Sequence, residues 1–125
     1  MREEVPVCRS EDLLVGRAVQ YRARVGGSDR PCFVLRLAAG DLAAFVNVCA
    51  HRNQPVVTDA SPTDAQGRVE CRAHGALYDP VTGECVGGPC EGARLTRAEV
   101  IEHDGVIAAV DDDVVDDSVY LADGS

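Results

Sequence analysis

The chain has no tryptophan, one methionine, two phenylalanines and three tyrosines, so aromatics supply only 4% of its 125 residues. A core without large rings must be assembled from Val, Leu, Ala and Ile, and a hydrophobic fraction of 46% suffices for one small domain. Positive charge is also scarce: 12 Lys and Arg stand against 21 Asp and Glu, for a formal net charge of −9 and a pI near 4.6. Like-charge repulsion disfavours nucleic acid and anionic membranes as partners, and suits docking to a basic patch on another protein. No apolar run approaches the ~20 residues that span a bilayer, the longest being broken by residues such as Arg36 and Asn47. The N-terminal stretch Met1-Arg2-Glu3-Glu4-Val5-Pro6 has no apolar segment of a secretory signal, so a cytoplasmic location is expected. In a reducing cytoplasm, six cysteines point to metal binding before disulfides.

The apolar pattern is that of strands. Arg17–Arg24 alternates, Val19, Tyr21 and Ala23 against Gln20, Arg22 and Arg24, as a half-buried strand does. Ser10-Glu11-Asp12-Leu13 reads as one capped helical turn before it. Gly26-Gly27-Ser28-Asp29 reads as a turn. Cys32–Leu37 and Leu42–Val48 predict a hairpin around Ala39-Gly40-Asp41. Leu95–Glu102 and Val106–Val110 predict another around His103-Asp104-Gly105. Leu77-Tyr78 forms a short strand before the turn Asp79-Pro80-Val81-Thr82-Gly83, while residues 52–67 are loop-like. Residues 111–125 read as an acidic C-terminal tail, with Val119-Tyr120-Leu121 able to add an edge contact.

Chemistry concentrates in two short motifs, Cys49-Ala50-His51 and Cys71-Arg72-Ala73-His74, with nineteen residues between them. Each offers one soft thiolate and one imidazole, at spacings that let two side chains of a single loop reach metal. Two of the chain's three histidines sit in these motifs. The third, His103, has no cysteine neighbour and reads as an exposed turn residue. Two Cys and two His also make a structural zinc set, although zinc fingers usually place a Cys pair before a His pair.

C-x-H followed by C-x-x-H, continued as His74-Gly75-Ala76-Leu77-Tyr78-Asp79-Pro80, resembles the Rieske [2Fe–2S] signature. The resemblance extends over about Val5 to Val110. Within it, Gly83-Glu84-Cys85-Val86-Gly87-Gly88-Pro89-Cys90-Glu91-Gly92 is similar to a small bacterial Rieske group with a G-x-C-x-x-G-P-C-x-G stretch. It implies an all-β, Rieske-like antiparallel β-sandwich of two or three small sheets with a cluster-binding subdomain. The Rieske domain would cover 1–110, with ligand loops 49–54 and 71–79 and a covering loop 84–91. It implies one [2Fe–2S] cluster, with Cys49 and Cys71 on one iron, His51 and His74 on the other, and the histidines at the electron exit. Around them it implies supporting roles for Tyr78 near a ligand thiolate and Pro89 in the covering loop; Gly75 most simply serves a turn, and Arg52 with Arg72 read either as a small basic docking island or as solvated side chains near a loop. Rieske centres span roughly −150 to +300 mV, against about −400 mV for plant-type ferredoxins.

Departures from the high-potential members narrow this range. Those proteins brace the cluster with a disulfide at the positions of Gln54 and Ala73, and place a hydroxyl donor where Ala76 stands. Keeping Tyr78 while lacking that donor implies a low-to-intermediate potential, as in Rieske-type ferredoxins. Cys8 and Cys32 read as small buried hydrophobes. Cys85 and Cys90 bracket the covering loop, where free thiols are the expectation and a short-loop disulfide the alternative. No nucleophile–base pair or phosphate loop is legible. The expected function is therefore non-enzymatic one-electron carriage between a ferredoxin reductase and an oxygenase or other redox enzyme. The alternatives are a fixed electron-transfer subunit, resembling the small subunit of nitrite reductases, and a zinc-bound interaction module. A terminal ring oxygenase needs a further catalytic domain for which 125 residues leave no room.

Overall fold

The computed structural model describes residues 2–49, 54–71, 75–88 and 92–112. Nine strands occur among them: β1 (Arg2–Arg9), β2 (Ala18–Val25), β3 (Ser28–Arg36), β4 (Leu42–Val46), β5 (Val69–Cys71), β6 (Ala76–Tyr78), β7 (Cys85–Gly87), β8 (Val100–His103) and β9 (Val106–Asp112). They form three antiparallel three-stranded sheets, ordered β1-β9-β8, β2-β3-β4 and β5-β6-β7. The fold is all-β, as the pattern predicts. No helix among the described residues is long and apolar enough to cross a membrane.

The β2-β3-β4 sheet is the middle layer. Its strands β3 and β4 carry the continuous apolar runs Cys32-Phe33-Val34-Leu35 and Ala43-Ala44-Phe45-Val46, because both of their faces are buried. Cys32, Val34, Ala44 and Val46 turn to one side and pack with Leu13, Ala98, Ile107 and Ala109. Phe33, Leu35, Ala43 and Phe45 turn to the other and pack with Cys49, Val56, Val57, Val69, Cys71, Ala76 and Tyr78. Period-two alternation thus feeds two cores from one sheet. The second of these contains both cysteines of the ligand motifs.

Turn chemistry sets the registers. Gly26 and Gly27, at φ of 63° and 87°, close a two-residue β2–β3 hairpin. Strand β3 therefore begins at Ser28, four residues before the sequence pattern places it. Asp104 and Gly105, at 53° and 77°, close the β8–β9 hairpin in the same way. Residues 95–99, expected to open the first of that hairpin's strands, precede β8 instead.

Three further differences have local causes. Ser10–Asp12 is a 3-10 turn whose N-cap residue is Arg9, so Ser10 lies inside the turn and caps nothing. Strand β1 escaped the pattern because Glu3, Glu4 and Arg9 dilute its apolar residues, and pairing with β9 supplies what alternation does not. Strand β9 runs through Asp111 and Asp112, two residues into the acidic stretch, because these oppose Glu3 and Arg2 on β1. Residues 113–125 of the expected tail lie outside the described residues.

Arg36 ties the layers together. Its Nε and two Nη atoms donate to the carbonyls of Leu13, Gly40 and Ser10 and, in a fork of 2.8 and 2.9 Å, to both carboxylate oxygens of Glu102 on β8. That uses all five N–H donors of the guanidinium. The Arg36 hydrogen bond is the main cause holding the Glu102 carboxyl down at about 2.

Candidate metal centre

The first ligand loop leaves β4 through Asn47, the one buried polar residue among the described residues. Asn47 Oδ1 accepts the backbone N–H groups of Val56 and Val57 at 2.9 and 2.8 Å, and its Nδ2 donates to the Val57 carbonyl at 2.8 Å. The outgoing and returning legs of the loop are thereby fastened together. The Cys49 amide donates to the Gln54 carbonyl at 2.7 Å and narrows the loop further. Residues 50–53, with His51 and Arg52, lie outside the described residues.

The second motif joins β5 to β6. Cys71 ends β5 and is paired with Ala76 at the start of β6. Between them the Gly75 amide donates to the Cys71 carbonyl at 2.7 Å, with Gly75 at φ 74°, a conformation that favours glycine. Residues 72–74, with Arg72 and His74, lie outside the described residues, as do Pro89 and Cys90. Of the expected ligands, the structure therefore places the two cysteines, both buried, at 3% and 0% exposure.

Tyr78 is fully buried on β6, with its hydroxyl 3.2 Å from the Cys49 sulfur. The strand has Tyr78 opposite Val69 and Cys71 opposite Ala76, so one short strand carries both the phenol and the residue opposite Cys71. Above this strand the covering segment comes very close. A Cβ built on Gly88, at φ 87°, would lie 2.7 Å from the Gly75 carbonyl oxygen and 2.9 Å from the Ala76 Cα. Only a residue without a side chain permits that approach over the second motif. Within the loop expected at 84–91, Cys85–Gly87 instead forms strand β7 against β6. Cys85 is disulfide-bonded, contrary to the expected free thiol.

The remaining thiols are of a different kind. Burial pushes Cys32 up to about 11 and also raises Cys8; Cys32 is the buried filler expected, whereas Cys8 is only partly buried against the same core. His103 is an exposed residue at the end of β8, 3.2 Å from Asp104. Sequence reasoning missed Asn47. Its signal was a lone amide at the end of an apolar strand, two residues before Cys49.

Two buried cysteines, Cys49 beside the Tyr78 phenol and Cys71 on the strand next to the closely covered β6, offer soft donors suited to a thiophilic metal group. A family model for the Rieske [2Fe-2S] domain matches residues 3–103, and the chain belongs to that family. Its cofactor is accordingly a Rieske-type [2Fe–2S] cluster, which the soft donor pair of Cys49 and Cys71 fits.

Among solved structures, the ferredoxin of carbazole 1,9a-dioxygenase from Nocardioides aromaticivorans IC177 is 22% identical, with a TM-score of 0.67 over 87% of this chain and 98% of that one. A ferredoxin in the complex of reduced oxygenase and oxidized ferredoxin of carbazole 1,9a-dioxygenase is 24% identical, with a TM-score of 0.63 over 84% and 100%. The quaternary ammonium Rieske monooxygenase CntA is 18% identical, with a TM-score of 0.68 over 91% of this chain. The chain spans about a third of that monooxygenase's length, 33%. At these identities the likeness is one of fold. No curated protein matches the chain.

Proposed function

We propose that this protein is a one-electron carrier that takes an electron from a reductase and delivers it to an oxygenase or another redox enzyme. The observation that carries the reading is the buried pair Cys49 and Cys71 with Tyr78 against one of them, on a fold shared over nearly the whole length of a dioxygenase ferredoxin. Cys49 and Cys71 hold one iron as thiolates, and His51 and His74, each following its cysteine by two or three residues, hold the other. When bound, the cluster supplies reversible uptake of a single electron.

The chain's own residues set the conditions of that uptake. The Tyr78 hydroxyl donates to the Cys49 sulfur and draws negative charge from it, which favours the reduced state. Ala76 contributes no such donor. The segment through Gly88 keeps water from the second motif, and Asn47 keeps the first loop's legs in register. Arg52 and Arg72 flank the ligands with positive charge in an otherwise acidic protein and steer an acidic partner surface toward them.

The test is electron transfer with purified components. The holoprotein should elute as a monomer, be reduced by a ferredoxin reductase with NADH, and be reoxidised by an oxygenase component. His74→Ala should abolish reduction while leaving the fold intact by circular dichroism. A protein that resists reduction and is recovered only with one persistent large partner would instead be a fixed electron-transfer subunit.

A further inference from the structure

Arg97 is exposed, yet its guanidinium lies over the ring of the fully buried Phe45, 5.3 Å from the ring centre. One of its Nη atoms donates to the Val81 carbonyl at 2.8 Å. The backbone sets up this contact. Residues 96–98 run along the edge of β4, with the Val46 amide donating to the Thr96 carbonyl at 2.8 Å and the Ala98 amide to the Ala44 carbonyl at 3.0 Å. Arg97 and Phe45 thereby stand opposite each other in an antiparallel bridge, so their side chains share a face. That face carries the ligand cysteines, for Phe45 packs in the same core as Cys49, Cys71 and Tyr78.

The same ring is the seat of the covering segment. Gly83, at φ 81°, comes so close that a Cβ on it would lie 2.7 Å from Phe45 Cε1. Its amide donates to the Asp79 carbonyl at 2.7 Å and closes the turn whose middle carbonyl, on Val81, Arg97 holds. From Gly83 the chain leads toward Gly88, and the base of this excursion is paired with residues 93–95. The Leu95 amide donates to the Gly83 carbonyl and the Cys85 amide to the Ala93 carbonyl, both at 2.8 Å, with Glu84 bridged to Arg94 between them. Strand β7 alone holds the segment weakly, because its two Cα pairs with β6 are separated by a register shift. The fit of Gly88 over Gly75 and Ala76 therefore depends on where the paired base is pinned, and it is pinned on Phe45.

The geometry points to Arg97 as a positioning residue for the cluster: by clasping the Val81 carbonyl and the Phe45 ring together, it fixes the base of the covering segment and so the fit of Gly88 over the second ligand motif. The inference rests on the reading of this segment as the cluster's cover. A guanidinium suits the task because it lies flat on a ring while donating from its edge, which a compact ammonium cannot do. Arg97 thus acts through Val81 and Phe45, by its shape rather than by its charge.

The experiment compares the holoprotein with Arg97→Met and Arg97→Lys. Both variants should load iron as the parent does, since the side chain is exposed. In both, the visible absorption should bleach about fivefold faster in the presence of an iron chelator. Amide hydrogen exchange, read by mass spectrometry, should quicken by a similar factor at Cys85 and Leu95 and stay unchanged at Val56 and Val57, whose amides Asn47 holds. The midpoint potential should rise, because water admitted over the second motif favours the more negative reduced state. Unchanged bleaching and exchange in Arg97→Met would overturn the proposal. Exchange quickened equally at all four amides would also overturn it, by reducing Arg97 to a general stabiliser. Arg97→Lys matching the parent would assign the effect to charge and overturn it as well. Exchange needs no redox partner, so failure of the electron-carrier reading would show separately, as a protein that cannot be reduced.

Discussion

At the scale of single residues, the two motif cysteines and Tyr78 were legible as candidates and Asn47 was not. Cys49 and Cys71 stand out because a thiol beside an imidazole at C-x-H and C-x-x-H spacing is rare by accident, and both are buried. Asn47 escaped notice because its part, accepting two amides from residues nine and ten positions on, depends on where the loop returns. Tyr78 was legible through the motif alone; its 3.2 Å approach to the Cys49 sulfur depends on how β6 packs against the loop that leaves β4, which no local pattern shows. That contact has a measurable consequence. A hydrogen bond worth about 1 kcal/mol more in one redox state corresponds to roughly 40 mV for one electron. Tyr78→Phe should therefore lower the midpoint potential by about that amount at unchanged iron content, as protein-film voltammetry would register. An unmoved midpoint would mean that the phenol has no hold on the redox site.

Among the elements, strands with clean alternation or continuous apolar runs were readable: β2, β3, β4, β6 and the β8–β9 hairpin. Those stabilised mainly by their neighbours were not. Strand β1 mixes charge with apolar residues and acquires its identity from β9, and β7 is three residues long within a glycine-rich stretch. The consequence of β7 is the placement of Gly88 over Gly75. Gly88→Ala must both hold a side chain at φ 87° and push back backbone atoms 2.7 and 2.9 Å away. The two effects should together cost roughly 2–4 kcal/mol. Gly67→Ala, at φ 81° with nothing within 4 Å, should cost only the conformational part, about 1–2 kcal/mol. Denaturation of the two variants side by side, with bleaching of the cluster's visible absorption followed in parallel, separates them. Gly88→Ala should bleach sooner, and equal behaviour would remove the covering role from this segment.

For the whole molecule, the organising fact is a middle sheet with a core on each face, one of them containing the ligand cysteines and the other joined to the β1-β9-β8 sheet. The strand pattern and the motif resemblance foretold an all-β fold. They could not foretell that Arg36 would spend all five donors joining β3 to the turn after β1, the β3–β4 loop and β8. This junction gives stability a pH dependence with a definite sign. Glu102 titrates at about 2 in the fold and near 4.5 when free of it, so the folded state binds the proton more weakly. Its contribution is complete above about pH 4.5 and is lost as pH falls toward 2. Thermal melting from pH 6 down to 2 should show a decline over that window that is shallower in Glu102→Gln. Parallel declines would assign the acid sensitivity to other carboxylates.

On the proposed function, Cys49, His51, Cys71 and His74 would together hold two irons that share one electron. The most direct measurement is low-temperature EPR of the dithionite-reduced protein, with iron and acid-labile sulfide counted on the same sample. Two irons, two sulfides and one unpaired spin per chain are expected, in a Rieske-type signal that carries hyperfine coupling to two histidine nitrogens. A colourless, EPR-silent protein with one zinc would contradict it, as would a signal without nitrogen coupling.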